Sequence, residues 1–269
     1  MKLVGFAMRQ SISELFDTIS SYEGQGVSSI EVGMGSSCFL DEVGPIEMDQ
    51  LLCKLQNARL RVNSVHAPFG GNVDFSSFDD NVHEHGVASL IEAIEFTHVL
   101  GASYTIVHPG NGTVLDDRAR RLDRSTGVIR ELAVIAKESG VVLAVENMPP
   151  GYLCCSEEEL VRLVEAANSD SVGVCFDTGH ANLSPSFKEQ TKKLLPYTVT
   201  MHLHDNDGLT DQHKFPGFGT IDWPVFAELR ARFNTHATMT LETMPPEGWS
   251  WMQAFERLNQ ILMPASKAL

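Results

Sequence analysis

Residues 200–219 read TMHLHDNDGLTDQHKFPGFG. Within twelve positions lie six side chains that can ligate a metal or carry a proton: His202, His204, Asp205, Asp207, Asp211 and His213. Similar residues recur along the chain at the ends of short apolar runs: His66 in SVHAPF, His108 in IVHPG, Glu146 in AVEN, Asp177 in VCFDTGH and Glu242 in LET. A lone histidine in such a place is usually a satisfied structural residue, and a lone carboxylate usually caps the next helix. The set of His66, His108, Glu146, Asp177, His202 and Glu242, one after each of six consecutive runs, is harder to explain that way. Imidazoles and carboxylates buried so close together lose hydration unless a cation compensates them. His180 follows three residues after Asp177, with Gly179 easing the turn. Asp211 and His213 form a D-x-H pair that a bent backbone can aim at one ion. Oxygen and imidazole nitrogen, with no cysteine among them, suit Zn2+ or Mn2+. Cys175, inside VGVCF, reads as a small core residue.

Eight β-rich runs carry these residues: KLVGFAM, SSIEVG, LRVNSVHA, SYTIVHP, VVLAVEN, SVGVCFD, YTVTMHL and ATMTLET. Several are continuously apolar, as parallel strands buried on both faces are. Amphipathic helical stretches such as HEHGVASLIEAIEFTHVLG and AELRARF separate them. SEEEL at 156–160 predicts a capping box, with Ser156 as N-cap and Glu159 reaching back. Gly101 and Gly140 stand where helices should stop. Eight strands alternating with helices predict a single α/β domain over 1–269, a (β/α)8 TIM barrel. An open doubly wound sheet would be expected to show a GxGxxG after its first strand or a Walker loop, and the chain has neither. In a barrel the carboxyl ends of the strands converge on one face, where chemistry is built.

Composition narrows the partners. Of 269 residues, 43% are hydrophobic, enough for a sizeable core. No apolar run approaches the roughly 18 residues of a membrane span, and MKLVGFAMRQ reads as a first strand rather than a leader. Five cysteines without a CxxC motif point to a reducing cytosol. A formal net charge of −15 weighs against a polyanionic partner such as nucleic acid. A homo-oligomer is compatible with the sequence. Arg118, Arg120, Arg121 and Arg124 could bind a substrate phosphate; the simpler reading is a solvated helix face balanced by Asp116, Asp117 and Asp123. His83, His85, His98 and His236 belong to no constellation.

The ordered set SVHAPF, IVHPG, AVEN, VCFDTGH, MHLHD, DQH and LET resembles the xylose isomerase-like TIM-barrel superfamily, which includes endonuclease IV and sugar isomerases and epimerases. The resemblance covers nearly the whole chain. Its endonuclease IV branch implies three zinc ions. His66 and His108 would hold one, with Glu146 bridging to a second. Asp177, His202 and Glu242 would complete the second, and His180, Asp211 and His213 would hold the third. The epimerase branch implies a single divalent ion among Glu146, Asp177, His202 and Glu242, with the two glutamates trading a proton and His180 touching substrate oxygen.

Two features favour the epimerase branch. One is the acidic balance. The other is the segment VGMGSSCFLDEVGP after the second strand, which offers no Lys or Arg for a DNA groove. The chemistry implied is proton transfer through a metal-stabilised enediolate, with Glu146 and Glu242 as bases. Phe6, Phe69 and Trp223 are candidates for the pocket wall, although core packing is the simpler reading for each. His204, two residues beyond His202, faces the same way and is a candidate for outer support of the metal or for substrate contact. Asp205 and Asp207 read as turn residues around Gly208. Phe218 stands in PGFG where the family often has an acidic residue, so the pocket could take a more apolar substrate.

Overall fold

A computed structural model describes residues 3–9, 11–35, 43–111 and 117–263, without the side chains of residues 8 and 9. Each of the eight apolar runs contains a strand: β1 (Leu3–Arg9), β2 (Ser29–Met34), β3 (Arg61–His66), β4 (Tyr104–Val107), β5 (Val142–Glu146), β6 (Val172–Asp177), β7 (Thr198–Leu203) and β8 (Thr238–Leu241). All pair in parallel and close in the order β1 to β8, with Leu3 and Val4 of β1 set against Met239 and Thr240 of β8. Helices lie between them: α1 (Ile12–Ser21), α2 (Pro45–Asn57), α3 (Asp80–Val99), α4 (Arg118–Glu138), α5 (Glu157–Ala167), α6 (Thr178–Asn182), α7 (Phe187–Leu194), α8 (Trp223–Phe233) and α9 (Trp251–Ile261). The chain is a (β/α)8 barrel.

Strand alternation sorts the side chains into two cores. Outward residues such as Ile30, Val32, Val65 and Val174 join the large layer between barrel and helices. Inward, a small apolar plug of Ile106, Ala144 and Cys175 fills the barrel. Cys175 is thus a core residue, and burial pushes its thiol well up. Two register shifts adjust the aim of inward residues, one between Ile30 and Glu31, the other between Val174 and Cys175.

Local signals set the helix ends. Ser11, Asp79 and Asp222 each accept from a backbone N–H in the first turn of the helix that follows. Gly101 and Gly140 take left-handed φ of 64° and 69° just beyond α3 and α4. The capping box expected at Ser156 is only half present. Ser156 Oγ accepts from Glu159 N, but the Glu159 carboxylate accepts from Arg118 and from Cys154 N instead. The full box is at Ser250 and Gln253, heading α9.

Candidate metal centre

The carboxyl ends of β5, β6, β7 and β8 bring together Glu146, Asp177, His202 and Glu242. One ligand atom from each lies within 4.8 Å of the others, and all four residues are buried. His202 Nδ1 is the hinge of the group, 3.4 Å from Glu146 Oε1, 3.2 Å from Glu242 Oε2 and 3.8 Å from Asp177 Oδ2. Glu146 Oε2, Glu242 Oε2 and His202 Nδ1 are buried without a hydrogen-bond partner. Orphaned acceptors aimed at one another are costly unless a cation sits among them. A hard or borderline divalent ion fits this donor set of three carboxylates and one imidazole.

A second set lies against the first. His66, His108 and Glu146 also place ligand atoms within 4.8 Å of one another, with His66 Nε2 and His108 Nε2 at 3.5 and 3.2 Å from Glu146 Oε2. Phe69 covers this pair, its ring centroid 5.0 Å from His66 and 4.4 Å from His108. Asp211 Oδ2 stands between His180 Nε2 at 3.3 Å and His213 Nε2 at 3.2 Å, while the groups on this side whose ligand atoms all lie within 4.8 Å are Asp177, His180 and His204, and His204, His213 and Glu242.

Most of these imidazoles are fixed from behind. Nδ1 of His66, His180 and His213 lies 2.9 to 3.0 Å from the carbonyl oxygens of Ala67, Asn147 and Glu242 respectively. A carbonyl can only accept, so each Nδ1 carries the proton and each Nε2 faces the site. Asp177 serves two purposes. Its Oδ1 caps α6 by accepting from His180 N at 2.7 Å, while its Oδ2 meets His204 Nε2 at 3.0 Å.

The charges are strongly coupled. Burial alone would raise Glu146, but His202 and His108 beside it hold its carboxyl well below the usual range. Asp177 is likewise pulled down to about 2 against burial by His180 and His204. Burial would lower His180 and His202, yet Asp177, Asp211 and Glu146 raise His180, and Cys175 with Glu242, Glu31 and Glu146 raises His202, both well above an ordinary imidazole. His213 rises to about 9 for the same reason, through Asp211 and Glu242. His108 goes the other way, because burial outweighs Glu146 there. The site is thus a store of protons that a divalent ion would displace.

Other sequence candidates fall in different places. Phe6 is registered beside Glu31 and therefore faces into the barrel. Trp223 is a scaffold residue rather than pocket wall: it is buried at 4% exposure and its indole donates to Asp205 Oδ2. Asp205 is no simple turn residue either. It is fully buried, and its carboxylate also accepts from the N–H groups of Asn206, Gly217 and Ile221, pinning the loop after β7. Asp207 is a turn residue, accepting from Leu209 N and Thr210 N. His204 is fully buried, stacked 3.9 Å from His213, with its Nε2 3.0 Å from Asp177 Oδ2. Gly179 does not ease a turn. It lies inside α6, and a Cβ there would overlap the His204 ring.

The arginines are paired: Arg118 with Glu159, Arg121 with Asp74, Arg120 with Asp117 and Arg124 with Asp80. Asp123 pairs with Arg162, while Asp116 lies outside the described residues. Phe218 is exposed and packs edge-on to Phe215 and Trp249. Most of the segment after β2, residues 36–42, lies outside the described residues. A cavity of about 800 Å3 opens at the opposite, N-terminal end of the barrel, between Leu3, Asn63, Tyr104 and Thr238, and none of the clustered donors lines it.

One site residue escaped the sequence reading. Glu31, in the middle of β2, is fully buried inside the barrel and lies 3.0 Å from His202 Nε2. Its only signal is a carboxylate inside an otherwise apolar strand.

Fold and donor cluster together define a parallel (β/α)8 barrel with metal-competent groups on its carboxyl face. The chain belongs to the xylose isomerase-like TIM barrel family, whose model matches residues 23–261. An uncharacterized protein of Methanocaldococcus jannaschii is 32% identical over 59% of this chain and 56% of its own length. A probable endonuclease 4 of Mycoplasmoides gallisepticum is 26% identical over 58% of this chain and 56% of its own. The chain therefore spans little more than half the length of these relatives. A D-tagatose 3-epimerase-like protein of known structure superposes with a TM-score of 0.83 over 97% of both chains at 24% identity. No helix among the described residues is long and apolar enough to cross a membrane.

Proposed function

We propose that the protein is a divalent-metal-dependent isomerase or epimerase of a small sugar or polyol derivative. The observation that carries this reading is the placement of Glu146 and Glu242 at the two ends of an arc of four adjacent strands, with His202 and Asp177 between them. Such an arc presents two carboxylates to one bound substrate from different sides. The likeness to a D-tagatose 3-epimerase-like protein is in keeping with it.

Glu146, Asp177, His202 and Glu242 would hold the ion, and when bound it polarises the substrate carbonyl and the adjacent hydroxyl. One glutamate removes the proton from the carbon beside the carbonyl, leaving an enediolate. The other returns a proton to the opposite face, which inverts that centre. His180, 3.2 Å from Glu146 Oε1 and itself held by the Asn147 carbonyl, keeps that carboxylate oriented and offers a donor to substrate oxygen. Phe69 and Phe6 wall the pocket. The acidic balance and the cysteine usage fit a small-molecule substrate in a reducing cytosol.

The test is exchange of substrate hydrogen with D2O by metal-loaded protein. Glu146→Gln is expected to abolish it, and retained exchange would sink the reading.

A second reading, a trinuclear phosphoester hydrolase like endonuclease IV, is favoured by one observation: Asp211 joins His180 and His213 into a third donor set. It requires cleavage of an abasic-site duplex that EDTA abolishes.

A further inference from the structure

Glu31 stands apart from the six strand-end donors, yet its carboxylate reaches one of them. The register shift in β2 sets it opposite Ser64, and it is fully buried. Its Oε2 accepts from Ser64 Oγ at 2.6 Å and from Thr240 Oγ1 at 3.2 Å. Its Oε1 lies 3.0 Å from His202 Nε2, an ion-pair distance, and both atoms are otherwise buried without a hydrogen-bond partner. These two hydroxyls, one from β3 and one from β8, hold Oε2 and leave Oε1 turned to His202.

His202 is oriented unlike the three carbonyl-anchored histidines of the site. His66, His180 and His213 each anchor Nδ1 on a backbone carbonyl and present Nε2. His202 presents Nδ1 to Glu146, Glu242 and Asp177, and what stands behind its Nε2 is a charged side chain. A carbonyl and a carboxylate both fix which nitrogen keeps the proton. Both also make the imidazole a stronger donor, the charged carboxylate more so, and metal-binding histidines commonly have such a partner behind them.

We propose that Glu31 is a positioning residue for the metal centre: it holds the proton on His202 Nε2 and thereby aims the Nδ1 lone pair at the cation among Glu146, Asp177 and Glu242. The inference rests on those four residues holding a cation, and not on which reaction follows. A buried ion pair that merely stabilises the barrel would show the same contact, so affinity and proton position must be read rather than activity.

Two measurements separate the cases. The first is NMR of the His202 ring in Zn2+-loaded wild-type protein, which needs no variant. The expected result is a proton on Nε2 and none on Nδ1; zinc on Nε2 would overturn the proposal. The second is Zn2+ and Mn2+ affinity by chelator competition, for wild type and E31Q. The substituted amide keeps the shape of the carboxylate and can still pair with Ser64 and Thr240 but lacks the charge. Dissociation constants of E31Q are expected to rise about 10- to 100-fold, the usual loss when such a partner is removed. A folded E31Q whose affinity stays within about twofold of wild type, by the same yardstick, would overturn the role of Glu31 alone. A wild-type protein that binds neither ion would instead overturn the cation site itself, and this proposal with it.

Discussion

At the scale of single residues, Glu146 and Glu242 differ from ordinary buried carboxylates in each keeping an Oε2 without a hydrogen-bond partner. Each →Gln substitution removes a base while keeping volume, and turnover on the true substrate is expected to fall by about 10²- to 10⁴-fold. A steady-state assay checks it, and near-wild-type rates for either variant would remove that glutamate from the chemistry. His213 gives a pH prediction. Its folded value of about 9 lies above the ordinary 6.5, so the stabilisation it provides is complete below pH 6.5 and disappears as pH rises through about 9. Asp211 is shifted down, so its share is present above 3.8 and lost as pH falls. Chelator-treated protein should therefore lose thermal stability as pH climbs from 6.5 to about 9. His213→Asn should flatten that limb, since Asn tolerates the left-handed φ of 46° at this position. Melting curves across the window decide it. The strand-end donors were legible because each closes an apolar run. Glu31 was not, because a single inward carboxylate in mid-strand looks like any polar residue on a half-buried strand. Nor does any sequence pattern reveal which nitrogen of an imidazole faces a site; that depends on which carbonyl lies behind it.

At the scale of elements, two contacts determine whether the site is built. α6 passes so close to His204 that only glycine fits at 179. Gly179→Ala should displace His204, release Asp177 and lower metal affinity at least about tenfold, measurable by isothermal titration. Asp205 ties together Trp223, Gly217 and Ile221. Asp205→Ala leaves several buried donors without an acceptor and should cost about 3 kcal/mol, read from denaturant unfolding. An unchanged midpoint would show that water replaces the carboxylate. The strands, the helix stops at Gly101 and Gly140 and the barrel itself followed from periodicity and from the alternation of elements. The pinned loop did not, because HDNDG looks like surface turn chemistry, and only the distant Trp223 shows that Asp205 turns inward. The capping box at Ser156 failed for a related reason: Arg118, about forty residues away in sequence, competes for Glu159 and wins.

At the scale of the whole molecule, β3 to β8 bring their strand-end donors to one rim, while among the described residues no clustered donor lines the cavity at the opposite end of the barrel. Glu146, Asp177, Asp211 and Glu242 all stand at that rim, and carboxylates gathered at a cleft draw cations toward it. A bound ion stabilises the folded state by mass action, about 2.7 kcal/mol at a hundredfold excess over its dissociation constant. For a barrel of this size that raises the melting temperature by about 5–10 °C. Scanning calorimetry with Zn2+, with Mn2+ and with EDTA tests this, and identical curves would argue against a resident ion.

Glu146 belongs to more than one donor group: with His66 and His108, with Cys175 and His202, and with Asp177, His202 and Glu242. Two cations placed on these groups would share one carboxylate, and their affinities would then be linked. Whatever factor the first imposes on the second, the second must impose on the first. A titration of this protein with metal would report constants that belong to the pair, and deleting Glu146 would erase both steps at once. The informative deletions lie at the periphery, where removing His66 with His108 leaves the inner arc intact and removing Glu242 leaves the outer pair.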